Sequence, residues 1–262
     1  MDLNLAGKVV LVTGGSKGIG LACAQAFAAE GCRVAISSRD QAHLAEASRA
    51  LGARGHTVLA LPSDLARQDA APVLVARVEE QLGPLDVLVN SAGAARRTNP
   101  DRLDEAAWHA AMDAKYFATI HAVQAVLPGM SARRRGAIVS VIGQGGKMAS
   151  PSHLPGGSAN AALMLATAGL ASAYGPSGLR VNAVNPGLTL TERATAAFRA
   201  EAERLGISED RARALGEERI PLRRYARPEE IAQVVVFLAS DRASYVTGVV
   251  VSMDGGAAAT VV

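Results

Sequence analysis

The sequence predicts an α/β protein with one doubly wound domain, in which a parallel sheet of about seven strands carries helices on both faces. Short β-rich runs alternate along the 262 residues with longer alanine-rich helical segments. The β-rich runs are continuous stretches of Val, Ile and Leu, which is typical of parallel strands buried on both faces. The length favours a single domain over residues 1–262 rather than two smaller ones.

Seven runs have the composition of buried parallel strands, at 8–15, 32–39, 56–64, 85–93, 136–143, 179–187 and 248–256. The segments between them are long enough for right-handed helical crossovers. The segment 188–227 differs, because it is rich in charge and too long for a simple crossover. It is either a helical insertion that covers a substrate or a solvated helical hairpin, and the two interpretations are compatible.

Composition excludes several classes of function. The net charge is only +3, aromatic residues make up 3% of the chain, and the one basic run, at 133–135, is typical of a solvated turn. We therefore expect no nucleic-acid partner. No apolar run is long enough to span a bilayer, and the two cysteines lie in apolar surroundings. The chain is predicted to be a cytoplasmic protein with a small-molecule substrate and no membrane partner.

A glycine-rich turn follows the first strand directly, with the sequence "TGGSKGIG" over residues 13–20. Glycines there allow a tight turn, close approach of the backbone to a pyrophosphate, and packing of a helix on a strand. The spacing G-x-x-x-G-x-G differs from the G-x-G-x-x-G of most dinucleotide folds. The turn predicts a Rossmann-type nucleotide site, and its members are Gly14, Ser16, Lys17, Gly18, Ile19 and Gly20.

The end of the second strand indicates which dinucleotide binds. An acidic residue there would bind the adenosine ribose hydroxyls and repel a 2′-phosphate. This chain instead has Ser38 and Arg39, and Lys17 lies in the glycine turn. A hydroxyl and two cations favour NADP(H) over NAD(H).

Several motifs, taken in their order along the chain, resemble those of the short-chain dehydrogenase/reductase family over nearly the whole length of the sequence. They are "TGGSKGIG", Asp64, "NSAG" at 90–93, "LRVNAVNPG" at 179–187 and "YVTGVVVSMDGG" at 245–256. The resemblance implies a homodimer or homotetramer. It also implies adenine contacts from Asp64 and Leu65, ribose contacts from Asn90, Ala92 and Gly93, and a nicotinamide site at Pro186, Gly187, Thr189 and Thr191.

The family's catalytic side chains are an Asn, a Ser and a Tyr-x-x-x-Lys pair, and this chain lacks all four. Counting along the framework places Lys115, Gly143, Gly156 and Asn160 at those positions. An Asn has become Lys at 115 while a Lys has become Asn at 160, and the resemblance implies that these positions face each other. A partly desolvated Lys115 is a candidate acid or base.

The remaining candidate proton donors are His153 and Lys147, in the adjoining loop, and Asn160 is a further candidate for catalysis. Structural roles compete with catalytic ones, because Lys115 could satisfy a buried polar pocket and His153 could be structural or exposed. Three functions stay open. The favoured one is an NADP(H)-dependent oxidoreductase for a small carbonyl or alcohol substrate, with a rearranged active site. The alternatives are a non-redox enzyme (a lyase, hydratase or isomerase) and a catalytically inactive NADP-binding regulatory subunit.

Overall fold

The computed structural model describes residues 2–93 and 98–259. Within those ranges one parallel sheet has the strand order β3-β2-β1-β4-β5-β6-β7. The strands are β1 Val9–Thr13, β2 Arg33–Ser38, β3 Val58–Pro62, β4 Val87–Asn90, β5 Gly136–Val141, β6 Leu179–Pro186 and β7 Val250–Met253. All seven predicted strands and the fold class are confirmed. The observed strands are shorter than the predicted runs, because the glycine and polar residues at their ends form turns.

Helices cover both faces of the sheet. They are α1 Gly18–Ala29, α2 Gln41–Gly52, α3 Ala70–Leu82, α4 Glu105–Ala111, α5 Ala118–Ala132, α6 Leu154–Tyr174, α7 Glu192–Leu205, α8 Glu209–Glu218 and α9 Pro228–Ala239. Alternate residues of β1 point to opposite faces, so Val10 and Val12 pack with α1, α2 and α9, whereas Val9 and Leu11 pack with α3 and α5. No helix among the described residues is long and apolar enough to cross a membrane.

The charged segment 188–227 forms a pair of packed helices, α7 and α8. The ring of Phe198 on α7 lies 5.0 Å from the ring of Tyr225, which is 3% exposed. Exposed ion pairs such as Arg199–Glu209, at 3.0 Å, lie on the surface of the segment. The segment is thus a helical hairpin with its own small apolar contact. Its role as a cover over a substrate stays a prediction.

The strand order reverses direction between β1 and β4. The strands β2 and β3 lie to one side of β1, and β4 to β7 lie to the other. In such sheets ligands bind at the carboxyl ends of the strands, in the crevice at this switch point. Thr13 and Asn90 end the two central strands in register, and they mark that position here.

Candidate active site

A cavity of about 840 Å³ lies at the carboxyl ends of the strands. Most of the residues predicted for the site line it. They are Gly14, Ser16, Lys17, Gly18, Ile19, Ser38, Arg39, Asp64, Leu65, Ala92, Gly93, Lys115, Pro186, Gly187, Thr189 and Thr191. Four predicted residues are not in its wall: Gly20, Asn90, His153 and Asn160. The structure therefore brings together most of the predicted nucleotide-binding residues and, of the catalytic candidates, only Lys115.

The glycine turn and the turn after β4 support each other. The Thr13 hydroxyl accepts hydrogen bonds from the backbone N–H groups of Ser91 and Ala92, at 3.2 and 3.3 Å. α1 then begins at Gly18, which is part of the cavity wall, and the first N–H groups of a helix have no acceptor within the helix. A helix N-terminus in this position is suited to a pyrophosphate, because its exposed N–H groups and its dipole both favour an anion.

The wall after β2 carries Ser38, Arg39 and His43. Asp40 follows Arg39 in the chain, but its carboxylate serves the N-terminus of α2, where it accepts hydrogen bonds from the N–H groups of Ala42 and His43 at 2.8 and 3.0 Å. The hydrogen bond from the backbone of His43 is the main cause that lowers the pKa of Asp40. Asp40 is not part of the cavity wall, so the cation at 39 is the charge that this strand end presents.

Lys17 forms an ion pair across the cavity mouth. Its Nζ lies 3.0 Å from Oε2 of Glu192, the first residue of α7. Both side chains are well exposed, so the pair contributes little to stability. A bound phosphate would compete with Glu192 for the same ammonium group. Glu192 was not selected from the sequence, since an acidic residue in the first turn of a helix is ordinary.

Lys115 lies on an irregular helical segment between α4 and α5. Residues Met112–Phe117 form a π-helical segment between α4 and α5, and this segment packs against α6. The Cγ atom of Lys115 lies 3.2 Å from the point where a Cβ on Gly93 would stand. The side chain thus passes over the turn after β4 and lines the cavity. Single π-turns often occur at functional sites.

Asn160 and His153 lie behind the loop that follows β5. The Nδ2 of Asn160 donates to the carbonyl oxygen of Gly143 at 3.2 Å, and the residue is 2% exposed. Its Oδ1 has no hydrogen-bond partner among the described residues. The Cδ2 of His153 lies 3.1 Å from the point where a Cβ on Gly145 would stand. Both side chains therefore contact the glycine loop, and of the three glycines of that loop only Gly143 forms part of the cavity wall.

A match to a family model covers nearly the whole chain. The model described as enoyl-(acyl carrier protein) reductase matches residues 14–258. The chain is 34% identical to a 3-oxoacyl-[acyl-carrier-protein] reductase of Thermotoga maritima, over 97% of this chain and 99% of that protein. It is 37% identical to a cis-4-hydroxycyclohexanecarboxylate dehydrogenase of Sinomonas cyclohexanicum, over 98% of both. The chain belongs to the short-chain dehydrogenase/reductase family.

A solved structure of this family has the same architecture. The L-sorbose reductase of Gluconobacter frateurii, in complex with NADPH and L-sorbose, superposes with a TM-score of 0.94 at 32% identity, over the full length of both chains. All three relatives are named as reductases or dehydrogenases, so the comparisons support an oxidoreductase.

Proposed function

We propose that this chain is an NADP(H)-dependent oxidoreductase for a small carbonyl or alcohol substrate, in which Lys115 takes the place of the family's proton donor. The observation that supports it best is that Lys115 and the predicted nucleotide-binding residues line one cavity.

The cavity residues fit a phosphorylated dinucleotide. Backbone N–H groups at the start of α1 are suited to the pyrophosphate. Ser38, Arg39 and Lys17 are suited to a 2′-phosphate, while Asp40 is engaged as a helix cap and does not face the cavity. The G. frateurii enzyme was solved with NADPH, which favours the same choice here. When bound, the nicotinamide would exchange a hydride with the carbonyl carbon of the substrate.

Lysine is the residue type that this role requires. Only four of the chain's 27 lysine and arginine residues are lysines, and two of them, Lys17 and Lys115, line the cavity. An arginine would supply a fixed positive charge, but it does not release its proton in proteins. A lysine ammonium can both stabilise the negative charge that develops on the carbonyl oxygen and donate the proton that completes the alcohol.

The variant Lys115→Arg separates proton transfer from charge. We expect it to bind NADPH within about twofold of wild type, because the positive charge stays. Reduction of carbonyl substrates should fall by about 10²–10⁴, which is the usual contribution of a positioned acid or base. Binding is measured by calorimetric titration, and turnover by NADPH absorbance across a panel of aldehydes and ketones, with whichever substrate the wild type reduces.

Lys8→Arg is the matched control. Lys8 pairs with Asp241 at 2.7 Å, and it is not part of the cavity wall. It should behave as wild type in both measurements. Full turnover by Lys115→Arg would contradict an acid role for Lys115. A wild-type protein that does not bind NADPH would contradict the proposal as a whole.

One observation favours the second candidate, an NADP-binding regulatory subunit without catalysis. Asn160 stands where the family's lysine is expected, and its amide holds a backbone carbonyl instead of lining the cavity. Tight NADPH binding with no turnover across the substrate panel, and the same cellular phenotype for Lys115→Arg and wild type, would support this candidate.

A further inference from the structure

The turn after β6 rests directly on the segment after β7. The N–H of Gly187 donates to the carbonyl oxygen of Met253 at 3.0 Å. A Cβ on Gly187 would stand 2.9 Å from the Cα of Asp254, so only glycine allows this approach. The position of the Gly187 turn therefore depends on where Asp254 is held.

Gln144 joins the loop after β5 to both of these segments. Its Nε2 donates to Oδ2 of Asp254 at 3.0 Å and lies 3.1 Å from the sulfur of Met148. Its Oε1 lies 3.5 Å from the point where a Cβ on Gly187 would stand. Gln144 thus lies beside the turn and is not part of the cavity wall.

Asp254 is the centre of the arrangement. Besides Gln144, its carboxylate accepts hydrogen bonds from the N–H groups of Gly256 and Ala258, each at 3.0 Å. One carboxylate therefore fixes the loop after β5 and the segment after β7, and its backbone supports the turn after β6. A second bond, from Nζ of Lys147 to the Ser252 hydroxyl at 3.2 Å, joins the same loop to β7.

The loop that carries Gln144 needs such anchors. Glycine occupies positions 143, 145 and 146, and glycines lose more conformational freedom on folding than other residues. The side chains of Gln144 and Lys147, together with the amide of Asn160, therefore hold a segment that has little rigidity of its own.

The strand order assigns a ligand to the turn. The glycine turn and the end of β2 would take the adenosine half of a dinucleotide, so the other nucleotide half must lie beyond the switch point, on the side of β4 to β6. We infer that Gln144 is a positioning residue that, through Asp254, holds the Gly187 turn in place for the nicotinamide half of NADPH. This inference rests on the proposed function.

The variant Gln144→Glu tests it by placing a carboxylate against Asp254. NADPH affinity should fall about tenfold, because a charge-assisted hydrogen bond is replaced by repulsion. Adenosine 2′,5′-bisphosphate has the adenosine half and the 2′-phosphate but no nicotinamide, so its affinity should stay within twofold. Both are measured by calorimetric titration. Gln81→Glu, the same change at an exposed position of α3, is the matched control and should leave both affinities unchanged.

A second substitution gives the rescue. In Gln144→Glu with Asp254→Asn, the Asn amide can donate to the new carboxylate, which restores the bond with donor and acceptor exchanged. Its oxygen can still accept from the N–H of Gly256, but the bond from Ala258 is lost, so Asp254→Asn alone is the reference. NADPH affinity of the double variant should exceed that of Gln144→Glu and lie within about threefold of Asp254→Asn. The inference is overturned if Gln144→Glu binds NADPH normally, if both ligands weaken equally, or if the double variant does not recover. Failure of the wild type to bind NADPH would instead overturn the proposed function.

Discussion

At the scale of single residues, Gly20 makes the closest backbone contact within the glycine turn. A Cβ on Gly20 would stand 2.2 Å from the carbonyl oxygen of Gly14, an atom that cannot rotate away. Gly20→Ala must therefore displace the turn. We expect it to lower the free energy of unfolding by about 1–3 kcal/mol and to weaken NADPH binding, as measured by urea unfolding and calorimetric titration.

Gly169→Ala is the control for that substitution. Gly169 lies within α6, and a Cβ there would meet no atom within 4 Å. Alanine is the better helix former, so the variant should gain about 0.5–1 kcal/mol in the free energy of unfolding and bind NADPH as wild type does. Equal behaviour of the two variants would show that the close contact at Gly20 has no consequence.

Most of the predicted nucleotide-binding residues line the cavity, whereas of the catalytic candidates only Lys115 does. Glycines and a cation at a strand end, such as Gly14 and Arg39, belong to local motifs whose geometry follows from their spacing. The amide of Asn160 bonds to a loop 17 residues away, and Gln144 reaches 110 residues along the chain to Asp254. Contacts of that range depend on the packing of the whole sheet, and no local pattern reveals them.

At the scale of elements, the start of α9 holds a carboxylate, that of Glu230, whose pKa is well below its ordinary value. The carboxylate of Glu230 accepts hydrogen bonds from both terminal nitrogens of Arg224, at 2.8 and 2.7 Å, and one from the N–H of Arg227. The Arg224 bonds are the largest cause that lowers the pKa of Glu230 to about 2, from an ordinary value of 4.5.

This lowered pKa predicts a pH dependence. The stabilisation is fully present above about pH 4.5 and is lost as the pH falls toward 2, because the unfolded chain binds the proton first. Glu230→Gln should therefore lower the free energy of unfolding by about 1 kcal/mol at pH 6, after allowance for solvent screening. The difference from wild type should shrink below pH 4.5, as followed by urea unfolding at several pH values.

Glu229→Gln is the matched control, because Glu229 is exposed in the same helical turn. Its effect should be smaller than that of Glu230→Gln at pH 6. If the difference in free energy of unfolding between Glu230→Gln and wild type stayed constant from pH 6 to 3, the Arg224 bonds would not be what lowers the pKa of Glu230.

The helices and strands were largely predictable, with one exception. Alternation of apolar strands and helical segments depends on local periodicity, and all seven strands were found. The π-helical segment Met112–Phe117 was not predicted, because the sequence there continues the helical pattern without proline or glycine. Its packing against α6 is a tertiary contact that helical periodicity does not encode.

At the scale of the whole molecule, cofactor binding should raise thermal stability. A ligand present at 100 times its dissociation constant stabilises the folded state by about 2.7 kcal/mol, which for a chain of this size raises the melting temperature by roughly 5–10 °C. NADPH should produce this shift at lower concentration than NADH. In Arg39→Ala, NADPH and NADH should produce this shift at similar concentrations, because the 2′-phosphate loses the cation at position 39.

Arg77→Ala, an exposed substitution on α3, is the control for the loss of an arginine, and it should preserve the difference between the two nucleotides. Melting curves in the presence of each nucleotide are sufficient for the comparison. Equal responses of the wild type to NADPH and NADH would contradict the proposed preference.

Because the Gly187 turn depends on Asp254, a growing polypeptide can bind the complete coenzyme only late in its synthesis. The strands β1 to β3 and the glycine turn leave the ribosome early, whereas Asp254 follows the last strand of the sheet. Because α1, at the glycine turn, packs against the much later helix α9, neither half of the site is complete until α9 and the segment after β7 have been synthesised. Full engagement of the coenzyme should begin only once translation has passed β7.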